Sequence, residues 1–168
     1  MLWHRQFLQS RKNLASIRLG RRIGIDFGVA RIGIAVSSID GIICSPLDTI
    51  QSNEFAIERI CALVTEHDPI EVYVGLPLNL QGERTTSTDL AIAFARALFE
   101  TKVTTVRLVD ERMSTRAAQS QLHASGKNTK QSKGVIDAAA ATLILESALA
   151  FEKATGKLPG HDFTEFNE

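Results

Sequence analysis

Asp26, Glu111 and Asp137 are three carboxylic acids at points where a folded chain has to account for them. Asp26 interrupts the apolar run Ile23-Gly-Ile-Asp-Phe27 and is followed at once by Gly28. Burying a carboxylate there is costly unless a cation or hydrogen bonds compensate. Glu111 lies just past an apolar segment, Val103 to Val109. Asp137 opens a long apolar stretch in which Ala140, Ala141, Ile144 and Ala148 fall on its helical face. Acids without accompanying His or Cys form a hard-oxygen donor set, the kind that holds Mg²⁺ or Mn²⁺. Each also has a simpler explanation. Asp26 could cap the Gly28 turn, and Glu111 could be a loop acid or serve a helix starting near Ser114. Asp137 could be an acid favoured by a helix N-terminus. Asp110 competes with Glu111, and strand alternation separates the two only weakly.

The elements that must position these acids follow from periodicity. Arg22 to Phe27 and Ile32 to Ser38 read as strands joined by the tight connection Gly28-Val-Ala-Arg31. Asp40-Gly41 is a second turn, and Ile42 to Ile50 a third strand containing Pro46. Phe55, Ile57, Ile60, Cys61 and Val64 then change to helical spacing, with Asn53 as N-cap. Ile70 to Leu76 is a β-branched strand that stops at Pro77. A polar loop, Asn79 to Thr88, leads into an Ala-rich helix through Phe99. Val103 to Val109 is the last strand, and Ser114 caps a short helix to Leu122. Ala124 to Lys133 reads as a polar loop, Val135 to Phe151 as a long apolar helix. This order predicts an α/β domain with a mixed five-stranded sheet, an antiparallel meander plus parallel strands, with flanking helices. In such a sheet functional groups gather beyond the strand ends. With the first and last strands as parallel neighbours, Asp26 and Glu111 meet there and the final helix delivers Asp137.

The chain of 168 residues is long enough for one domain with a sizeable core. With 44% hydrophobic residues it is ordinary for a soluble globular protein, and no apolar run is long enough for a bilayer. No membrane partner is therefore expected. Cys44 and Cys61 form no metal-ligand motif and read as buried free thiols in a reducing compartment. His4, His67, His123 and His161 stand in no ligand spacing. Net charge is zero, yet Arg5, Arg11, Lys12, Arg18, Arg21 and Arg22 leave the first 22 residues without an acid. Six of the 19 basic residues lie there, so the remainder carries 13 against 19 acidic ones. Residues 1–20 are thus a basic extension, able to touch nucleic acid, and 21–153 the folded domain. Residues 154–168 read as a flexible tail. The expected location is the cytoplasm, or an organelle matrix if the Arg-rich, acid-free start is a transit peptide.

Four segments in series carry a resemblance. They are Arg22-Ile-Gly-Ile-Asp26-Phe-Gly28 with Arg31, Gly33 and Ala35; Val74-Gly-Leu-Pro-Leu-Asn79; Asp110-Glu-Arg112 with Ser114 and Thr115; and Lys133 with Asp137, Ala140 and Ala141. In this order and spacing they resemble the YqgF/RuvX proteins over residues 21–153. That family was first named for resolving Holliday junctions and later described as nucleases of pre-16S rRNA. The resemblance implies an RNase H-like fold with Asp26, Glu111 and Asp137 as the catalytic, metal-holding carboxylates. By analogy, two Mg²⁺ (or Mn²⁺) ions ~4 Å apart would share Asp26 and the scissile phosphate. In-line attack would leave a 3′-hydroxyl and a 5′-phosphate. Arg31, Arg84, Arg112 and Lys133 lie in or beside the motifs and are the candidates for nucleic-acid phosphates. The loops at Gly82–Thr86 and Lys127–Lys133 are candidates for closing over the substrate. With one Tyr and one Trp, base stacking is not evident. The expected function is 5′-end maturation of pre-16S rRNA on the small-subunit ribosomal precursor, as monomer or homodimer. A junction resolvase acting on branched DNA and a non-catalytic RNA-binding assembly factor are the alternatives. A protein-kinase reading of Ile-Asp-Phe-Gly fails for want of an upstream domain, and an actin-like ATPase would need about twice this length.

Overall fold

The computed structural model describes residues 17–113 and 133–166. Six strands form one sheet: β1 (Arg22–Phe27), β2 (Arg31–Ser37), β3 (Cys44–Gln51), β4 (Glu71–Leu76), β5 (Val106–Asp110) and β6 (His161–Asp162). Three helices accompany them among the described residues: α1 (Ala56–His67), α2 (Thr86–Glu100) and α3 (Lys133–Thr155). The sheet order is β3-β2-β1-β4-β5-β6. The meander β1–β2–β3 is antiparallel, β1–β4 and β4–β5 are parallel, and β5–β6 is antiparallel. This is an RNase H-like mixed sheet, with six strands where the sequence suggests five.

Residue alternation explains the layers. One face carries Ile23, Ile25, Ile32, Ile34, Val72, Val74, Leu76 and Leu108, packed against Ile60, Leu63 and Val64 of α1 and Phe94, Ala95 and Leu98 of α2. The other carries Ala35, Tyr73 and Val109 under Ala141, Ile144, Leu145, Ala148 and Leu149 of α3. The first face is thick with branched side chains. The second is thin, because Gly24, Gly33 and Gly75 leave no side chain between strand and helix. A Cβ at Gly24 would stand 2.8 Å from the Ala141 carbonyl oxygen, so α3 lies almost on the strand backbone. None of the described helices is long and apolar enough to cross a membrane.

Three expectations are corrected. The first and last parallel strands are not neighbours, since β4 runs between β1 and β5. Helix α1 has Phe55 rather than Asn53 at its N-cap; Asn53 stands two residues earlier and accepts from the Phe55 N–H at 3.0 Å. The segment after Gly156, read as a flexible tail, supplies the sixth strand. Phe163 is completely buried there, 5.2 Å from the Phe99 ring, with the Arg96 guanidinium 5.6 Å from its centroid. Arg107 of β5 donates to the Pro159 and Gly160 carbonyls and pairs with Asp162 at 3.4 Å. One buried ring and one arginine fix this return without any periodic pattern. Of the basic extension, residues 1–16 lie outside the described residues, and so does the short helix expected from Ser114 to Leu122.

The end of α3 far from Asp137 is tied down by charge. Arg22 is fully buried and donates to Glu152 at 3.1 Å, and Arg18 reaches the same carboxylate at 2.8 Å. Arg18 also pairs with Glu71, which accepts from the Tyr73 hydroxyl. Breaking a buried charge pair from one side leaves the other charge uncompensated. Glu152→Ala should therefore lower unfolding free energy by about 3–5 kcal/mol in urea titrations. A loss below ~1 kcal/mol would mean that water, not the carboxylate, satisfies the two arginines.

Candidate functional site

Asp26 stands at the end of β1 on the thin face, directly opposite Gly33 of β2. A Cβ at Gly33 would lie 1.9 Å from the carbonyl oxygen of Asp137, a distance no side chain tolerates. The glycine is the seat on which the beginning of α3 rests, and it sets Asp137 beside Asp26. Asp137 is the fifth residue of α3. It thus lies beyond the first turn, where a helix dipole favours an acid, and the dipole does not account for it.

Glu111 follows β5, its N–H bonded to the Leu76 carbonyl at 3.1 Å. It is two strands from Asp26, and Gly75 bridges the gap. Ile25 pairs with Val74, so Gly75 stands beside Asp26 in the sheet. A Cβ there would sit 2.6 Å from Glu111 Oε1 and 3.0 Å from its Cγ. The glutamate therefore lies across the bare glycine toward β1. Asp110 goes elsewhere: it accepts from the Arg112 backbone N–H at 2.9 Å, Nε at 3.0 Å and Nη2 at 2.6 Å. Geometry thus separates the two adjacent acids that alternation left open.

The electrostatics agree. Burial pushes the Asp26 carboxyl up to about 6, with a further rise from the charge on Asp137. Burial pushes Glu111 up to about 7, with Asp26 and then Asp110 adding to it. Asp110 is held below the usual carboxylate range by its hydrogen bond from Arg112. Asp137 is engaged by Arg31, whose Nε donates to Oδ2 at 2.7 Å. Among the described residues, no three His, Cys, Asp or Glu side chains are drawn together closely enough to hold an ion as they stand. In donor chemistry the fit is good. Oxygen ligands alone, crowded negative charge and two carboxyls kept partly protonated are what a hard divalent cation would relieve.

The other expected contacts divide. Arg84 is exposed and pairs with exposed Asp89 at 2.6 Å, a surface contact of small energetic weight. Arg112 is exposed too, but its guanidinium lies against Gly82, whose Cβ would be 2.8 Å from Nη1. Lys133 opens α3, and its side chain lies outside the described residues, as do Ser114, Thr115 and the Lys127–Lys130 segment. The Gly82–Thr86 segment is no loose lid. Asn79 bonds Gly82 and Glu83 through backbone and side chain, and Thr85 and Thr88 form a reciprocal cap on α2. Gly75 is the residue whose role sequence reasoning missed. Its signal was a glycine inside an otherwise β-branched strand.

Comparison with known proteins gives the family and the fold. A family model described as "RuvX: Holliday junction resolvase" matches residues 20–151. The chain belongs to this family. A Leifsonia xyli relative is 48% identical over 147 residues, covering 86% of this chain and 95% of that protein, and is named as a pre-16S rRNA nuclease. Relatives from Clavibacter michiganensis (47%, 86% and 91% covered) and Streptomyces avermitilis (43%, 86% and 94%) carry the same name. In fold, this RuvX-family chain is similar to Thermus thermophilus RuvC solved with a Holliday junction substrate. The TM-score is 0.54 at 16% identity, over 81% of this chain and 96% of that one.

Two outcomes test the site's construction. Gly33→Ala should cost about 1–3 kcal/mol of stability by overpacking against α3, measured by chemical denaturation. Raised carboxyl pKa values mean the folded, metal-free protein holds protons that the unfolded chain releases. Their stabilisation is complete below about pH 4 and is lost as pH rises through about 6 and 7. Asp26→Asn should flatten that decline and raise metal-free stability at pH 8 by on the order of 1–2 kcal/mol, read from melting curves in EDTA. An unchanged pH profile would show that Asp26 is not under charge stress.

Proposed function

We propose that this chain is a divalent-metal-dependent nuclease that hydrolyses phosphodiester bonds in the 5′-end maturation of pre-16S rRNA, in the cytoplasm. The observation that carries the reading is the burial of Asp26 and Glu111 beside each other under a helix that adds Asp137. Supporting it are the names of relatives at 43–48% identity that span nearly the whole domain.

Asp26 lies between the other two acids and would be the shared ligand, with Glu111 and Asp137 on either side. A bound Mg²⁺ or Mn²⁺ would supply Lewis-acid charge at the scissile phosphate and lower the pKa of water there. The chain's own contribution is placement. The glycine seats hold the carboxylates on rigid strands and a rigid helix in a half-buried position, so bulk water screens them only in part. Arg112, oriented by Asp110 next to Glu111, is placed to bind a neighbouring phosphate, and exposed Arg84 extends the cationic rim. One copy of the chain carries all three acids, so the proposed centre needs no partner subunit.

Cleavage of labelled pre-16S rRNA and of a four-way DNA junction tests this directly, with Mg²⁺, Mn²⁺ or EDTA. Wild type is expected to cut the RNA with metal and not with EDTA, and Asp26→Asn to fall to background while remaining folded. Preferential cutting of the junction would move the substrate to branched DNA, the activity in the family's description. Binding without cutting would leave an RNA-binding assembly factor.

A further inference from the structure

Arg31 holds a position unlike that of the other arginines near the site. Arg84 and Arg112 pair with acids five and two residues away on their own segments, outside the carboxylate cluster. Arg31 opens β2 and reaches across to α3, where its Nε meets Asp137 Oδ2 at 2.7 Å. Two residues on, and on the same face of β2, Gly33 supports the Asp137 backbone, with Asp26 directly opposite on β1. A positive charge therefore rests on the very carboxylate whose charge disfavours ionisation of Asp26.

The contact is built to be exchanged. It uses Nε and one carboxylate oxygen rather than the two-point fork by which arginine makes its strongest pairs. The Arg31 side chain is 30% exposed and Asp137 26%, so solvent reaches both partners. Glu152 at the other end of α3 shows the contrast: Arg18 grips its two oxygens through Nε and Nη2, and a wholly enclosed Arg22 adds Nη2 to both.

From this the geometry points to Arg31 as a placeholder for the divalent cation. It neutralises Asp137 in the metal-free protein, gives up Oδ2 when the ion binds, and then offers its guanidinium to a phosphate of the nucleic acid. Arg31 is thus a positioning residue that links metal loading to substrate binding, and this inference rests on the metal-nuclease reading above. The sign of one substitution separates the placeholder from a simple brace. A brace that pre-orients Asp137 strengthens metal binding, so its removal weakens it. A placeholder competes with the ion, so its removal strengthens it.

The test is Mn²⁺ binding to the purified full chain, by electron paramagnetic resonance and calorimetry at fixed ionic strength, with folding checked by circular dichroism in EDTA. Arg31→Gln is expected to bind Mn²⁺ several-fold more tightly than wild type, and Arg31→Lys, which keeps the charge, to stay near wild type. Asp137→Asn should weaken the binding and so localise it. A second readout is the affinity for a short labelled RNA with and without Ca²⁺. Wild type should gain affinity on adding Ca²⁺, and Arg31→Gln should lose most of that gain. Unchanged or weaker Mn²⁺ binding by folded Arg31→Gln overturns the placeholder while leaving the nuclease reading intact. Absence of Mn²⁺ binding by wild type overturns both.

Discussion

Helix α3 can rest this close to the sheet only because three glycines beneath it, Gly24, Gly33 and Gly75, project no side chain, and the candidate site follows from that clearance. Gly24 and Gly33 let the helix backbone touch β1 and β2, and Gly75 lets a glutamate from β5 pass over β4. On β1 the thin face reads Arg22, Gly24, Asp26; on β4 it reads Glu71, Tyr73, Gly75. On β1 the charged residues thus stand at the strand ends with a glycine between them, and on β4 the acid and the tyrosine lead to the bare Gly75. A Val in place of any of these glycines would add a little hydrophobic surface and lift the helix off the acids it helps to gather.

Both ends of α3 carry an acid met by arginine, for opposite physical reasons. Glu152 lies near the C-terminal end, where the helix dipole disfavours negative charge, and two arginines offset both dipole and burial. Asp137 lies near the other end with one partly exposed arginine, in a cluster where burial and neighbouring carboxylates push the pKa values of Asp26 and Glu111 up. The first arrangement closes a fold. The second crowds carboxylates against one another, which is a common mark of a working site.

Much of this was legible in the sequence, for identifiable reasons. Asp26 stood out because a buried strand has few uses for a carboxylate, and the meander because its turns are short and marked by glycine. The choice between Asp110 and Glu111 was hidden, since alternation is a poor guide once a strand has ended and one arginine can draw off either neighbour. The Arg22–Glu152 pair was hidden too, because charged residues are usually exposed and 130 residues separate the two. The return of the chain through Phe163 left no trace in periodicity, as a two-residue strand and one ring give no repeat to detect.

The two borders of the sheet bear on how this molecule can associate. At one margin, β3 includes Pro46, which cannot donate to a further strand, and its register with β2 shifts between Ile34 and Ala35. At the other, β6 offers only two residues. Neither margin presents a long, regular row of free backbone groups of the kind that templates strand addition. A sheet so bordered resists growing into its neighbour, and any self-association must rely on side-chain surfaces.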